Sequence, residues 1–190
     1  QISGSMRVVA NPPAHFDTAA LEALYRLPFT RNPHPMYGAT RIPALEQVRF
    51  SVTAHRGCAG GCAFCALTAH QGKGITSRGA ESVLAEVRTI ASHPDFRGTI
   101  NDVGGPTANM WGARCTRPGG CRRVSCLWPE RCADFADDQD GYLALLTEAA
   151  TTPGIRHLFV TTGVRMDLLA GNGALLRALA QRHTSGHLKV

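Results

Sequence analysis

Three cysteines share one short window of the chain, His55-Arg56-Gly57-Cys58-Ala59-Gly60-Gly61-Cys62-Ala63-Phe64-Cys65. Their C-x3-C-x2-C spacing puts three thiolates on one tight loop. Such a loop can hold three irons of a [4Fe-4S] cubane and leave the fourth iron without a protein ligand. An open metal position suits catalysis, whereas a closed set of four ligands usually supports structure. Gly57, Gly60 and Gly61 let the backbone wrap a bulky cluster without Cβ clashes. Phe64, between the last two thiols, is expected to pack on the cluster and keep water away. A structural zinc site and a thiol redox switch are the competing uses of this triad.

A second group, Cys115, Cys121, Cys126 and Cys132, has spacings x5, x4 and x5, with Pro118, Gly119, Gly120 and Pro129 shaping the loop. Four thiolates make a complete tetrahedral set for zinc or an auxiliary iron–sulfur cluster. The spacing is not the paired C-x2-C of a zinc ribbon, and free buried thiols or disulfides remain as alternatives. The histidines are weaker signals. His70 follows the cluster loop and could line a site, His55 could hydrogen-bond the loop backbone, and His183 and His187 have no partner motif.

The elements that must position these residues read as an α/β alternation. Residues 1–6 look like a tag remnant, and 7–46 form a Pro-rich lead-in, with Asn11-Pro12-Pro13 and Asn32-Pro33-His34-Pro35, whose one helix is Thr18–Leu27. A strand is predicted at Gln47–Ala54, directly before the cysteine loop, and a short helix at Ala63–Ala69. Then come a helix at Glu81–Ser92, a strand at Gly98–Val103 and an irregular, Cys-rich insertion at 107–140. Helix Gly141–Thr151, strand Arg156–Thr161, helix Ala174–Arg182 and strand Gly186–Val190 complete the series. Strands alternating with helices argue for parallel βαβ units. Reactive groups then collect on the loops at the strands' C-terminal ends.

The 190 residues, 44% hydrophobic and 18% charged, suit one globular domain. No apolar run approaches a membrane span and no signal sequence opens the chain, so a soluble, cytoplasmic protein is expected. Seven cysteines in such a chain fit reduced metal ligands better than a secreted disulfide framework. The net charge of +6 is carried almost wholly by arginine. It fits an anionic partner such as nucleic acid, or simply an Arg-rich solvated surface.

The cysteine loop resembles that of the radical S-adenosylmethionine (SAM) superfamily. Arg49-Phe50-Ser51-Val52, Arg56-Gly57-Cys58, Thr76-Ser77-Arg78, Asp102-Val103-Gly104-Gly105-Pro106-Thr107-Ala108-Asn109-Met110 and Gly163-Val164-Arg165-Met166-Asp167-Leu168 resemble one lineage within it, the YgiQ-type (UPF0313) proteins. The resemblance implies a partial (βα) TIM-type barrel over 47–190, of which this chain holds about four of six units as a fragment of a longer protein. It also implies a [4Fe-4S] cluster on Cys58, Cys62 and Cys65, with SAM chelating the open iron. Reductive cleavage of SAM would give a 5'-deoxyadenosyl radical that abstracts hydrogen from an unknown substrate. A flavodoxin- or ferredoxin-type donor and the rest of the parent chain are the implied partners.

Further site residues follow from the same likeness. Gly104-Gly105-Pro106 would meet the methionine amine of SAM through backbone carbonyls, because Pro106 lacks the carboxylate that many relatives carry there. A purely structural turn competes with that role. Asp102 and Asn109 flank the turn as polar contacts. Thr162 and Arg165 would face the SAM carboxylate or ribose, against an Arg165–Asp167 ion pair or a surface position. Ser77 and Arg78 are either the family's Ser-Arg pair or a cap and a solvated charge. The alternative to an enzyme is a non-catalytic module, stabilised by zinc or an Fe-S cluster, that binds nucleic acid or senses redox state.

Overall fold

A computed structural model describes residues 2–3, 6–7, 9, 11, 16–117, 119 and 121–190. Gln1, Gly4 and Ser5 of the expected tag, Pro12-Pro13, and Pro118 and Gly120 of the second cysteine loop lie outside the described residues.

The chain opens with a two-residue ladder, β1 (Ile2–Ser3) against β2 (Met6–Arg7), that falls mostly in residues 1–6. Helix α1 (Thr18–Tyr25) is capped by Asp17, whose carboxylate accepts the Ala20 N–H at 2.7 Å. The lead-in holds a second helix, α2 (Pro43–Val48), which starts on Pro43. It overturns part of the expected strand, because Gln47 and Val48 are helical. Asn101 explains why: its Nδ2 donates to the Gln47 carbonyl at 3.0 Å and so satisfies the helix end.

The strands are shorter than expected. β3 (Ser51–Thr53) leads into β4 (His55–Arg56). After the cysteine loop come α3 (Leu67–Gln71), β5 (Thr76–Ser77), which pairs antiparallel with β4, and α4 (Ala80–Ala91). β6 (Thr99–Ile100) and β7 (Asp102–Gly104) form one extended segment interrupted at Asn101. The insertion is closed by a ladder between β8 (Arg114–Cys115) and β9 (Phe135–Ala136). α5 (Gln139–Ala150), β10 (His157–Leu158), α6 (Met166–Leu169) and α7 (Gly173–Arg182) follow.

β3 pairs parallel with β7, Val52 opposite Val103, and β6 pairs parallel with β10, Ile100 opposite Leu158. Three parallel segments therefore stand side by side, with α4 and α5 as the crossovers. The expected fourth strand, Gly186–Val190, does not form. Among the described residues, one backbone bond joins it to the loop after the third segment, the Val164 N–H to the Lys189 carbonyl at 3.0 Å, and a single bond is no ladder.

The strand positions that face the helices are apolar and buried: Val52, Ile100, Val103, Leu158 and Val160. They pack on Val83, Leu84, Val87 and Ile90 of α4 and on Tyr142, Leu145, Leu146 and Ala149 of α5. Each such side chain contributes roughly 1.5–3 kcal/mol by burial. The alternate positions, Ser51, Thr53, Asp102 and Thr161, are only partly buried and line a cleft. Parallel strands covered on both faces would be apolar throughout. Here one face is packed and the other is open.

Candidate active site

Three loops leave the C-terminal ends of the parallel segments. They are the cysteine loop after β3 and β4, Gly104-Gly105-Pro106 after β7, and Thr161–Arg165 after β10. A cleft of about 550 Å³ is lined by Asp102, Gly104, Pro106 and Thr162, and by Arg56 and Leu67 on either side of the cysteine loop; none of the three thiols lines it.

Asp102 organises the floor. Its carboxylate accepts the Thr161 and Thr162 N–H groups at 2.7 and 2.9 Å and the Thr162 hydroxyl at 2.6 Å. Thr162 thus borders the cleft with its hydroxyl proton already engaged. Asn109 is fully buried and accepts the Arg165 N–H at 2.8 Å while its Nδ2 donates to the Arg165 carbonyl at 3.1 Å. Gln139, which sequence reasoning missed, donates in turn to the Asn109 carbonyl at 2.9 Å. No local motif marks it, because the contact spans thirty residues.

These bonds hold the backbone of Arg165 so that its guanidinium reaches the cysteine loop. Nη1 lies 3.5 Å from the Cys62 sulfur, and Nε donates to Asp167 at 3.0 Å. The hydrogen bond to Asp167 is the main cause that raises the Arg165 pKa, and Arg165 holds the Asp167 carboxyl below its ordinary value. Arg165 therefore combines the expected ion pair with a contact to the Cys62 thiol that the sequence did not announce.

The cysteine loop is anchored at several points. The Gly57 N–H donates to Gln71 Oε1 at 3.2 Å, the Cys58 N–H to the Gly72 carbonyl at 3.2 Å, and Thr68 Oγ1 to the Cys58 carbonyl at 3.3 Å. Thr107 Oγ1 lies 3.6 Å from the Cys58 sulfur. A Cβ on Gly60 would sit 3.5 and 3.6 Å from the Cys58 and Cys62 sulfurs and 3.1 Å from Arg165 Nη1, so glycine keeps the space between the thiols clear. Phe64 is 92% exposed, which corrects the expected packing over the thiols. A loop this short cannot turn both flanking cysteines and the phenyl ring inward.

His55 lies buried beneath the Gly-Gly turn. A Cβ on Gly105 would come within 2.5 Å of its ring, so only glycine fits there. Both ring nitrogens lack a hydrogen-bond partner among the described residues. Burial lowers its pKa to about 4, opposed by the nearby Thr107 backbone, which does not reach hydrogen-bond geometry. The other histidines stand apart. His70 and His187 are exposed, and the buried His183 shares a 2.9 Å contact with the Leu158 carbonyl.

Two expectations near the cleft change. Arg78 is not a solvated charge: it is 1% exposed, pairs with Glu86 and stacks 4.1 Å over the Tyr25 ring. Ser77 caps no helix; its Oγ accepts the Gly112 N–H at 2.9 Å.

All four cysteines of the second group border one small cavity beside Ala59 of the first loop. The Arg123 backbone amide lowers the Cys121 pKa, and burial raises that of Cys126. Among the described residues no three His, Cys, Asp or Glu side chains converge on a single-ion position, at either cysteine group. The expected tetrahedral set is therefore not assembled in this structure. None of the seven cysteines is in a disulfide.

The chain is 47% identical over 187 residues to a UPF0313 protein of Methanocella arvoryzae, covering 96% of this chain and 31% of the relative. It is 49% identical over 194 residues to a UPF0313 protein of Geobacter sulfurreducens, covering 100% and 32%. The UPF0313 protein YgiQ of Escherichia coli is 40% identical over 195 residues, covering 100% and 26%. The chain belongs to the UPF0313 family. The Radical SAM N-terminal family model also matches, over residues 1–51. The match runs through residues 1–6 and the Pro-rich lead-in. The chain spans about a third of the length of the first two UPF0313 relatives. No helix among the described residues is long and apolar enough to cross a membrane.

Proposed function

We propose that the chain carries the first part of a radical SAM catalytic core, with Cys58, Cys62 and Cys65 as ligands of a [4Fe-4S] cluster and SAM bound in the adjoining cleft. One observation carries this reading: the cysteine loop, the Gly104–Pro106 turn and the Thr161–Arg165 segment leave the same ends of three parallel segments, with Arg165 reaching Cys62 and Asp102 tying β7 to Thr161 and Thr162. The fit of the residues supports it. Three thiols share one loop, the space between two of them is kept clear by Gly60, and a guanidinium stands by to offset thiolate charge.

When bound, the cluster and SAM supply one-electron cleavage of a sulfonium C–S bond and a 5'-deoxyadenosyl radical for hydrogen abstraction. The residues of this chain bind and orient. Gly105 offers its backbone carbonyl to the methionyl ammonium, since Pro106 brings no carboxylate and the Gly104 carbonyl already accepts the Ala54 N–H at 2.6 Å. Thr162, tied to Asp102, holds the adjoining wall of the cleft. Arg165 sets its guanidinium beside the Cys62 sulfur and so positions that end of the loop. The remaining units of a partial TIM-type barrel would come from the rest of the parent chain, and the electron from a flavodoxin- or ferredoxin-type donor in a reducing cytoplasm. Membership of the family favours this reading over a nucleic-acid-binding or redox-sensing module.

The test is anaerobic reconstitution followed by iron and sulfide analysis and EPR after dithionite. About four irons per chain and a reduced-cluster signal altered by SAM are expected. Arg165→Gln should keep the iron and lower the cluster's midpoint potential by tens of millivolts, because a cation beside a ligand sulfur favours the reduced state. Zinc alone, with no colour after reconstitution, would sink the proposal. SAM cleavage by this chain should be weak and should rise in a longer chain.

A further inference from the structure

The cleft beside the Gly104–Pro106 turn carries an unbalanced charge. Among the described residues that line it, Asp102 and Arg56 are the two with a full charge at pH 7, since burial lowers the His55 pKa to about 4 and keeps the ring neutral. The Asp102 carboxylate is engaged by three donors, the Thr161 and Thr162 N–H groups and the Thr162 hydroxyl. The Arg56 guanidinium has no hydrogen-bond or ion-pair partner among the described residues. Arg31, Arg49, Arg78 and Arg165 around it each pair with a carboxylate.

Arg56 does not trail into solvent. It is half-buried, and its guanidinium lies over the Phe16 ring, 5.8 Å from the centroid. Thr76 holds both partners of this stack: it is the register partner of Arg56 across β4 and β5, and its Oγ1 donates to the Phe16 carbonyl at 2.8 Å. An aromatic ring takes the face of a guanidinium and leaves the edge N–H groups free, and these match the two oxygens of a carboxylate. The remaining lining is uncharged. Gln71 Oε1 accepts the Gly57 N–H, which leaves the Gln71 amide N–H groups as donors, and Leu67 and Pro106 are apolar. One unpaired cation, with no lysine or second arginine lining the cleft, matches a monoanion better than a phosphate dianion.

We propose that Arg56 determines specificity in the cleft by pairing with the carboxylate of a substrate whose body is otherwise uncharged. The carboxylate of SAM is expected on the open iron, and none of the three thiols lines the cleft. The carboxylate at Arg56 therefore comes from a second molecule. That this acid is the substrate rests on the radical SAM reading, whereas the carboxylate site itself does not.

The experiment follows phenylglyoxal modification of Arg56 by peptide mass spectrometry, in the reconstituted chain saturated with SAM and in the metal-free chain. Benzoate should slow modification of Arg56 about tenfold at saturation in both, because the edge N–H groups are then engaged, and should leave the exposed Arg26 unchanged. No protection would overturn the proposal. Equal protection by inorganic phosphate would also overturn it, since the site would then select only for negative charge. So would protection of Arg56 by SAM alone, which would assign the carboxylate to SAM. Protection in a chain that takes up no iron would uphold the carboxylate site and sink the radical SAM reading, so the two fail separately. Arg56→Lys, which keeps the charge and loses the fork, should weaken benzoate binding about tenfold in an NMR titration. Unchanged affinity in that variant, folded by circular dichroism, would overturn the role of the guanidinium.

Discussion

His55 is the residue whose environment makes the sharpest prediction. Its imidazole is buried, without a hydrogen-bond partner among the described residues and pressed against Gly105, and burial lowers its pKa from 6.5 to about 4. Between those values the unfolded chain binds a proton that the folded chain refuses. The contribution of neutral His55 is therefore fully present above pH 6.5 and lost as pH falls toward 4. The shift corresponds to about 3 kcal/mol, to order of magnitude. His55→Gln, which cannot titrate, should show a flatter fall in urea midpoint across that window. Parallel slopes for both proteins would refute the assignment. His183, also lowered by burial, titrates in both and cancels in the comparison.

At the scale of elements, the site is held by contacts between loops that no single segment contains. Asp102 joins β7 to the end of the third strand through three hydrogen bonds. Asp102→Ala should cost about 2–4 kcal/mol, because three donors lose a charged acceptor at once. Asp102→Asn, which keeps an acceptor oxygen, should cost less. The ordering is checked by denaturant midpoints at unchanged m. Gly61 makes the other junction. It has φ +61°, and a Cβ there would lie 2.5 Å from the Val124 carbonyl oxygen. Gly61→Ala should separate the two cysteine loops, lowering stability by about 1–3 kcal/mol and speeding alkylation of the buried Cys126. Unchanged alkylation would show that the loops do not depend on one another.

Across the whole molecule, the Pro-rich lead-in is tied to the core by a charged cluster. Glu86 on α4 pairs with both Arg31 of the lead-in and the buried Arg78. Arg31 Nη1 also donates to the Arg49 and Ser51 carbonyls at 2.8 and 3.2 Å, and Arg78 Nη1 to the Thr53 carbonyl at 2.9 Å. A caps contact completes the docking, as the Gly79 N–H at the start of α4 donates to Glu22 of α1 at 2.8 Å. Removing the one carboxylate leaves two cations without it. Glu86→Gln should therefore destabilise the chain by about 3–5 kcal/mol, and limited proteolysis should then cut first in the lead-in. Loss of stability without faster cleavage there would mean that the cluster does not hold the lead-in.

The sequence alone determined the amphipathic helix α4 and the grouping of three thiols on one loop. Val83, Leu84, Val87 and Ile90 recur at helical spacing and face the core as α4, and the spacing of Cys58, Cys62 and Cys65 puts three thiols on one short loop. Both signals lie within a few residues of one another, so they need no knowledge of the fold. Tertiary structure decided the rest. Gln47 and Val48 are helical because Asn101, more than fifty residues away, satisfies the helix end. Arg165 meets Cys62 because Asn109 and Gln139 hold its backbone. Arg78 is buried because Glu86 and Tyr25 come to it from different helices. A charge or a polar side chain reads as solvent-facing until its partner arrives, and that partner is chosen by packing, not by neighbours in the chain.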